Sequence, residues 1–387
     1  MNILILPSWY VSEKDPVNGS FFREQALALK KAGHNVYVID ATLQSRKNYF
    51  SKRNFRLLKY EDEGLKVYSN VMPALGFGNN HPVIYKVFKK KAFAALRAMR
   101  KDGVEIDLIH AHSFFPAGTV AVDIKKEFNI PFVITEHSSA LLKREVDEFD
   151  KAHLNRTLKQ CERFICVSKR LGEEVKAITG YEGYIEVIPN MVSKEFKLQC
   201  DEKLSDEFKF ISIGRLDEGK NHILLLKAFN STFKGNPKVK LDIVGEGLLK
   251  DKLKEYIEAN SLEDQVRLLG SKTRKETARL LNKSQVFVLP SLYETFGVTY
   301  IEALACGKPI IGTRNGGAES IIKEYNGILV DNNDEEALSN SLVKIYKEYD
   351  SFKEEEISRK ALKEYSEESV CESLLETYEK VIKKELR

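Results

Sequence analysis

The chain has 387 residues, 43% hydrophobic and 30% charged, and holds no apolar run near the ~20 residues that a bilayer span needs. Those totals suit two ordinary globular domains, each with its own core, and exclude a disordered or membrane-spanning chain as the simplest reading. The net charge of +4 is uneven: residues 1–190 carry 29 Lys/Arg against 22 Asp/Glu, a balance of +7, and the remainder carries 32 against 35, a balance of −3.

Taken in order, the opening run Met1 to Pro7 lacks a basic n-region and a small-residue cleavage site, so it reads as a first strand and not as a leader. Short β-branched runs follow at Val36–Asp40, Leu108–Ala111, Phe132–Thr135, Phe164–Val167 and Ile185–Ile188. A second series comprises Phe208–Ile213, Lys240–Val244, Val266–Leu269, Val286–Leu289 and Pro309–Gly312. Amphipathic segments such as Arg23–Ala32 and Glu335–Tyr349 separate them. This alternation predicts an α/β fold with two parallel sheets covered by helices on both faces. The polar stretch from Asn190 to Glu207 breaks the series. It sets domains at 1–190 and 191–366, with a last helix over 367–387. The five cysteines, Cys161, Cys166, Cys200, Cys306 and Cys371, form no CxxC pair, which fits reduced thiols in the cytoplasm.

The densest chemical signal runs from Ser291 to Pro309. A strand ends near Leu289, and a helix begins near Gly297 and stops at Gly307. Glu294 then lies in the loop before the helix and Glu302 more than a turn inside it. The free N–H groups of Phe296, Gly297 and Val298 would sit at the positive end of the helix dipole, where phosphate binds. Carboxylates accept from sugar hydroxyls, and a nucleotide-sugar has a sugar at each end. Upstream, Gly214-Arg215 and Lys220 follow a strand directly, and the two cations can converge on phosphate oxygens. Gly245 and Gly247 mark another strand-end glycine loop. Each feature alone also reads as plain structure: carboxylates favouring a helix dipole, surface cations in a turn, a glycine turn. GxGxxG, a P-loop, a strand-end Asp-x-Asp and a His/Cys/Asp grouping with metal spacing are all missing from the sequence.

Glu294 and Glu302 resemble the E-x7-E motif of retaining GT-B glycosyltransferases of family 4. The neighbouring blocks are similar to that family too: Gly214-Arg215 with Lys220, Val244 to Gly247, Gly316-Gly317 with Glu319, and Val187 to Asn190. The resemblance implies two Rossmann-like domains facing across a cleft and a C-terminal helix returning to the first domain. It implies that Arg215, Lys220 and the amides of Phe296, Gly297 and Val298 hold the donor diphosphate without a metal. It implies that Glu294 binds the transferred sugar, that Glu302 binds the ribose, and that the Gly214 and Gly245 loops and the backbone at Ser271–Lys272 serve the nucleotide. A UDP-sugar is the first choice of donor and GDP-mannose the second, with a glycan or lipid-linked acceptor. In such enzymes the leaving phosphate helps to deprotonate the acceptor, so no general base is assigned. A GT-B nucleotide-sugar epimerase and a non-catalytic partner subunit are the alternatives, and the intact Arg215, Lys220, Glu294 and Glu302 set weighs against the second.

In the first half, Gly19 in the loop from Pro16 to Phe21 corresponds to the family's glycine loop, and a strand–helix turn explains it almost as well. His137 resembles the family histidine that contacts the transferred sugar; His112 stands open between that role and a core role, and His110 reads as structural. Residues 41–101 hold 14 Lys/Arg against Glu61, Asp62 and Glu63 only. A helix over Pro82–Lys101 spaces Ile84, Phe88, Ala92, Ala95 and Met99 on one face. One reading docks this basic region on an anionic membrane, making the protein peripheral on the inner face of the cell membrane. The other packs the apolar face on its own domain. Nucleic-acid binding is disfavoured, because the charge is local and lacks a reading motif.

Overall fold

The computed structural model describes residues 1–11, 19–44, 57–73, 80–199 and 206–384. The chain divides into two compact units, Met1–Pro189 with Glu367–Arg387, and Asn190–Ser366. No helix among the described residues is long and apolar enough to cross a membrane. Cys161, Cys166, Cys306 and Cys371 are free thiols.

The first unit is built on Asn2–Pro7 (β1), Asn35–Asp40 (β2), Leu58–Asp62 (β4), Leu65–Ser69 (β5), Leu108–His112 (β7), Phe132–Glu136 (β8), Arg163–Cys166 (β9) and Glu186–Val187 (β10), while Leu43–Gln44 (β3) and Met72–Pro73 (β6) pair separately. The eight-stranded order is β10-β9-β8-β7-β1-β2-β5-β4, so the winding reverses between β1 and β7. Strands β1, β7 and β8 are buried along nearly their whole length, as continuous apolar runs in a two-faced parallel sheet should be.

One element departs from the all-parallel expectation. β4 pairs with β5 antiparallel, through a two-residue turn in which Glu63 (φ 48°) and Gly64 (φ 80°) are both left-handed. Such a turn matches the twist of a hairpin. Its outer strand exposes Lys59, Tyr60 and Glu61, which is why the sequence hides it: an edge strand facing water needs no apolar alternation. Arg23 clamps the hairpin to the Ser20–Lys31 helix by two bonds of 2.6 Å to Asp62.

The second unit contains Phe208–Ile213 (β11), Val239–Val244 (β12), Val266–Leu268 (β13), Val286–Leu289 (β14), Ile310–Thr313 (β15) and Gly327–Val330 (β16), all parallel, in the order β13-β12-β11-β14-β15-β16. This is the doubly wound arrangement, with its reversal between β11 and β14. β16 is the strand the sequence reading passes over. It is four residues long and opens on a glycine, because a Cβ at Gly327 would lie 2.1 Å from the Ile310 carbonyl oxygen of the adjoining strand.

The His81–Lys101 helix buries Phe88, Ala92, Phe93, Ala95, Leu96 and Met99. Its apolar face is therefore spent on its own unit. Lys86, Lys90, Arg97 and Lys101 stand exposed on the opposite side. Of the basic residues ahead of it, those at 45–56 lie outside the described residues, and Lys59 pairs with Asp102.

The Glu367–Ile382 helix belongs to the first unit. It buries Val370, Leu374, Tyr378 and Val381. Tyr378 Oη lies 2.6 Å from His110 Nδ1, and the other ring nitrogen of His110 lies 2.7 Å from Thr135 Oγ1. Both nitrogens are thus engaged, which gives His110 a structural role. Replacing Tyr378 by Phe leaves a fully buried imidazole nitrogen without a partner, so stability should fall by about 1–3 kcal/mol, read as a lower urea midpoint at unchanged m-value.

Candidate functional site

In a doubly wound sheet the loops that leave the carboxyl ends of the strands beside the reversal have no helix packed over them, and ligands bind there. In the second unit those loops follow β11 and β14. They carry Gly214 to Lys220 and Ser291 to Glu294.

Two bonds draw the loops together. Leu292 N–H donates to the Gly219 carbonyl (2.8 Å), and Lys220 Nζ donates to Glu294 Oε1 (2.5 Å). Ser291 Oγ donates to the same carboxylate oxygen at 2.8 Å. Asp217 caps the short Glu218–Lys220 turn by accepting from Lys220 N–H, and left-handed Asn221 then starts the His222–Phe233 helix. The sequence assigned Lys220 and Glu294 to different parts of one ligand; the structure pairs them. Arg215 is not part of that pair: its side chain is 82% exposed and bonded to Asp217 at 3.0 Å.

The Val298–Ala305 helix begins where Gly297 adopts φ 92°. No described residue accepts a hydrogen bond from the amides of Phe296, Gly297 or Val298, so three donors remain at the positive helix end. Gly317 lets the next loop lie against this terminus, since a Cβ there would stand 2.3 Å from the Phe296 carbonyl oxygen. Tyr300, Asn315 and Ser291 hold the assembly and were missed in the sequence. Buried Tyr300 donates to the Leu289 carbonyl (2.8 Å) and accepts from Asn315 Nδ2 (3.0 Å). Glu294 N–H in turn donates to the Asn315 carbonyl at 3.0 Å. Only the serine three residues before Glu294 offered a sequence signal. Glu302 is buried in the second turn of the helix.

Beside these loops, Gly245 N–H donates to the Gly270 carbonyl (3.0 Å), and a Cβ on Gly245 would meet the Gly214 carbonyl oxygen at 1.9 Å. Three glycine turns therefore stack backbone on backbone, as a surface that receives a flat or phosphorylated ligand requires. Ser271 and Lys272 follow on an exposed loop that leads into the Thr273 capping box. His222 is 1% exposed with neither ring nitrogen hydrogen-bonded among the described residues; burial, and then Lys220, push its pKa down to about 4.

The first unit has its own group at the β1/β7 reversal. Ser8 donates from both N–H and Oγ to the His112 carbonyl. Gly19, with φ 85°, sits where a Cβ would lie 3.1 Å from Tyr10 Cα, and residues 12–18 of its loop lie outside the described residues. His112 Nδ1 and His137 Nε2 are 3.3 Å apart, and both rings pack against Phe22. Burial drives the pKa of His137 down to about 3 and that of His112 well below its usual value. Two neutral imidazoles sharing one proton leave one donor and one acceptor over. His112 Nε2 and His137 Nδ1 are those two atoms, buried and without a partner.

A grouping that the sequence does not reveal unites His81, Asp147 and Asp150, whose ligand atoms lie within 4.8 Å of one another. The residues are too far apart in the chain for spacing to show it. Its bonds explain it as a clasp between two helix starts: His81 Nδ1 to Asp150 Oδ1 is 2.6 Å, and Asp147 caps the Glu148–Gln160 helix through Asp150 N–H.

Comparison with known proteins identifies the architecture. The family model described as Glycosyl transferases group 1 matches residues 193–369, and that described as Glycosyltransferase Family 4 matches residues 19–196. This chain is a GT-B glycosyltransferase of family 4. It is similar to an uncharacterized glycosyltransferase, MJ1178, of Methanocaldococcus jannaschii, at 29% identity over 62% of this chain and 65% of that one, just under two thirds of the relative's length. The putative teichuronic acid biosynthesis glycosyltransferase TuaC of Bacillus subtilis is 26% identical over 89% of each chain. The sucrose-phosphate synthase of Thermosynechococcus elongatus shares the fold, with a TM-score of 0.80 at 21% identity, over 99% of this chain and 100% of that one.

The buried histidines fix how this glycosyltransferase responds to acid. His110, His112, His137 and His222 all bind protons less readily folded than unfolded. The stability they contribute is complete above pH 6.5 and is lost as pH falls toward 4, by up to about 1.4 kcal/mol per pH unit for each histidine. Glu136, raised from 4.5 to about 6, works the other way and offsets one histidine's share. Urea midpoints should therefore drop steadily between pH 6.5 and 4.5, and a flat profile would contradict the burial of these rings.

Proposed function

We propose that this enzyme transfers a hexose or N-acetylhexosamine, with retention and without a metal, from a nucleotide-sugar to a glycan or lipid-linked acceptor in the synthesis of a surface polysaccharide or glycolipid. The observation that carries this reading is the Lys220–Glu294 pair, beside the free amides of Phe296, Gly297 and Val298 at the β11/β14 reversal. The ammonium and the helix terminus supply the positive charge that a departing diphosphate needs. Arg215 supplies more once it leaves Asp217 and turns toward the phosphates. Glu294, held by Ser291 and Lys220, offers its remaining lone pairs to sugar hydroxyls, and Glu302 serves the ribose. The sugar C1–oxygen bond breaks, the acceptor oxygen bonds to C1 on the same face, and the leaving phosphate takes the acceptor's proton. Catalysis then rests on positioning and leaving-group electrostatics.

For the donor we favour a UDP-sugar, since the backbone at Ser271–Lys272 can match the acceptor–donor–acceptor edge of uracil. GDP-mannose stands second, supported by the Glu246 carboxylate near Gly270, which suits the paired donors of guanine. An epimerase finds less support, because it needs further acids and bases around the sugar, and the set in the sequence is sparse.

The exposed Lys86, Lys90, Arg97 and Lys101 support an electrostatic contact with an anionic membrane on the cytoplasmic side, made by charge and not by inserting the helix. Two measurements check these readings. Lys220→Ala and Glu294→Ala, assayed in EDTA where the wild type stays active, should each lose about 10²–10³-fold in kcat while the protein remains folded. Co-sedimentation with anionic vesicles should weaken with salt, and equal pelleting with neutral vesicles removes the electrostatic contact.

A further inference from the structure

Glu136 ends β8 and is fully buried. A buried carboxylate is costly unless its oxygens are occupied, and here three backbone amides occupy them. Oε2 accepts from Phe114 N–H at 2.6 Å. Oε1 accepts from His137 N–H at 2.8 Å and from Ser138 N–H at 2.6 Å. No lysine or arginine bonds to it among the described residues. One side chain thus joins the loop after β7 to the loop after β8. Those loops carry the two imidazoles that meet at 3.3 Å, His112 at the last position of β7 and His137 directly after Glu136. The loop after β7 also turns through Ser113 at φ 67°, a conformation that an L-residue keeps only when its surroundings hold it.

We propose that Glu136 is a positioning residue of the transfer reaction: by accepting the amides of Phe114, His137 and Ser138 it fixes the backbone that carries His137. The proposal rests on the reading, implied by the family resemblance, that His137 contacts the transferred sugar. An amide in place of the carboxylate turns an NH2 group toward an N–H donor, so at least one of the three bonds is lost and the His137 backbone is released.

A double-mutant cycle tests it, using the full chain, saturating donor and an acceptor that supports turnover. Glu136→Gln should lower kcat by about 10–100-fold and change the donor KM by less than about threefold. In a His137→Ala background the same substitution should cost less than about twofold, because the group it positions is already gone. Multiplicative losses, or a Glu136→Gln enzyme as fast as wild type, would overturn the proposal. A His137→Ala enzyme with normal turnover would instead remove the reading beneath it, and the proposal with it.

If Glu136→Gln does not fold, the wild-type protein still decides. The Cys166 thiol on β9, which feels this carboxylate, is pushed well up by burial, and the His110, His112 and His137 rings are all pushed well down by theirs. These stay neutral near pH 6, where Glu136 itself takes up a proton, its pKa raised to about 6 by burial against the three amide bonds. The Phe114, His137 and Ser138 amide resonances should therefore shift together through pH 6 while the His137 ring carbons do not. Amides that stay fixed while the Glu136 carboxyl carbon itself titrates would overturn the assignment.

Discussion

Two loops must meet where a doubly wound sheet reverses direction, and in the second unit the Lys220–Glu294 pair is where they meet. Without it, the largely buried Glu294 carboxylate would keep only its Ser291 bond, and the partly buried Lys220 ammonium would lose the partner that holds it over the second loop. With it, the Gly214–Lys220 segment, the Ser291–Glu294 segment and the start of the Val298–Ala305 helix become one rigid surface. The pair also keeps the region near electrical neutrality until an anion competes for the lysine. Lys220 and Glu294 thereby satisfy each other, while the amides of Phe296, Gly297 and Val298 keep no acceptor among the described residues.

The same logic recurs in the first unit with different chemistry. At the β1/β7 reversal the loops are joined by Ser8, by the paired imidazoles and by the Glu136 carboxylate. The groups there are neutral or screened by backbone amides, while those in the second unit are charged.

Much of this was readable in the sequence, for a physical reason. Val286–Leu289 was located to the residue because a strand buried on both faces reads as one apolar run, and Phe208–Ile213 because its mostly apolar run leads into four buried residues. Glu294, Gly297 and Glu302 fell on the expected loop and helix because Gly297 and Gly307 mark the helix ends. The β4/β5 hairpin escaped because its outer strand faces water. The His81–Lys101 helix was amphipathic either way, and only the full burial of Phe88, Ala92 and Met99 shows which side its apolar face serves. Glu136 was passed over although it stands beside His137, because a charged residue at a strand end reads as solvated. Nothing short of its zero exposure reveals the three amides around it.

The bond from Tyr378 to His110 has a consequence for synthesis of the chain. The second unit is one continuous stretch, Asn190–Ser366, and can close its core as soon as it clears the ribosome. The first unit begins earlier yet finishes later. Its central strand β7 keeps an unmatched buried histidine until the Glu367–Ile382 helix arrives. The first unit must therefore wait, partly open, for a helix translated after the whole of the second unit.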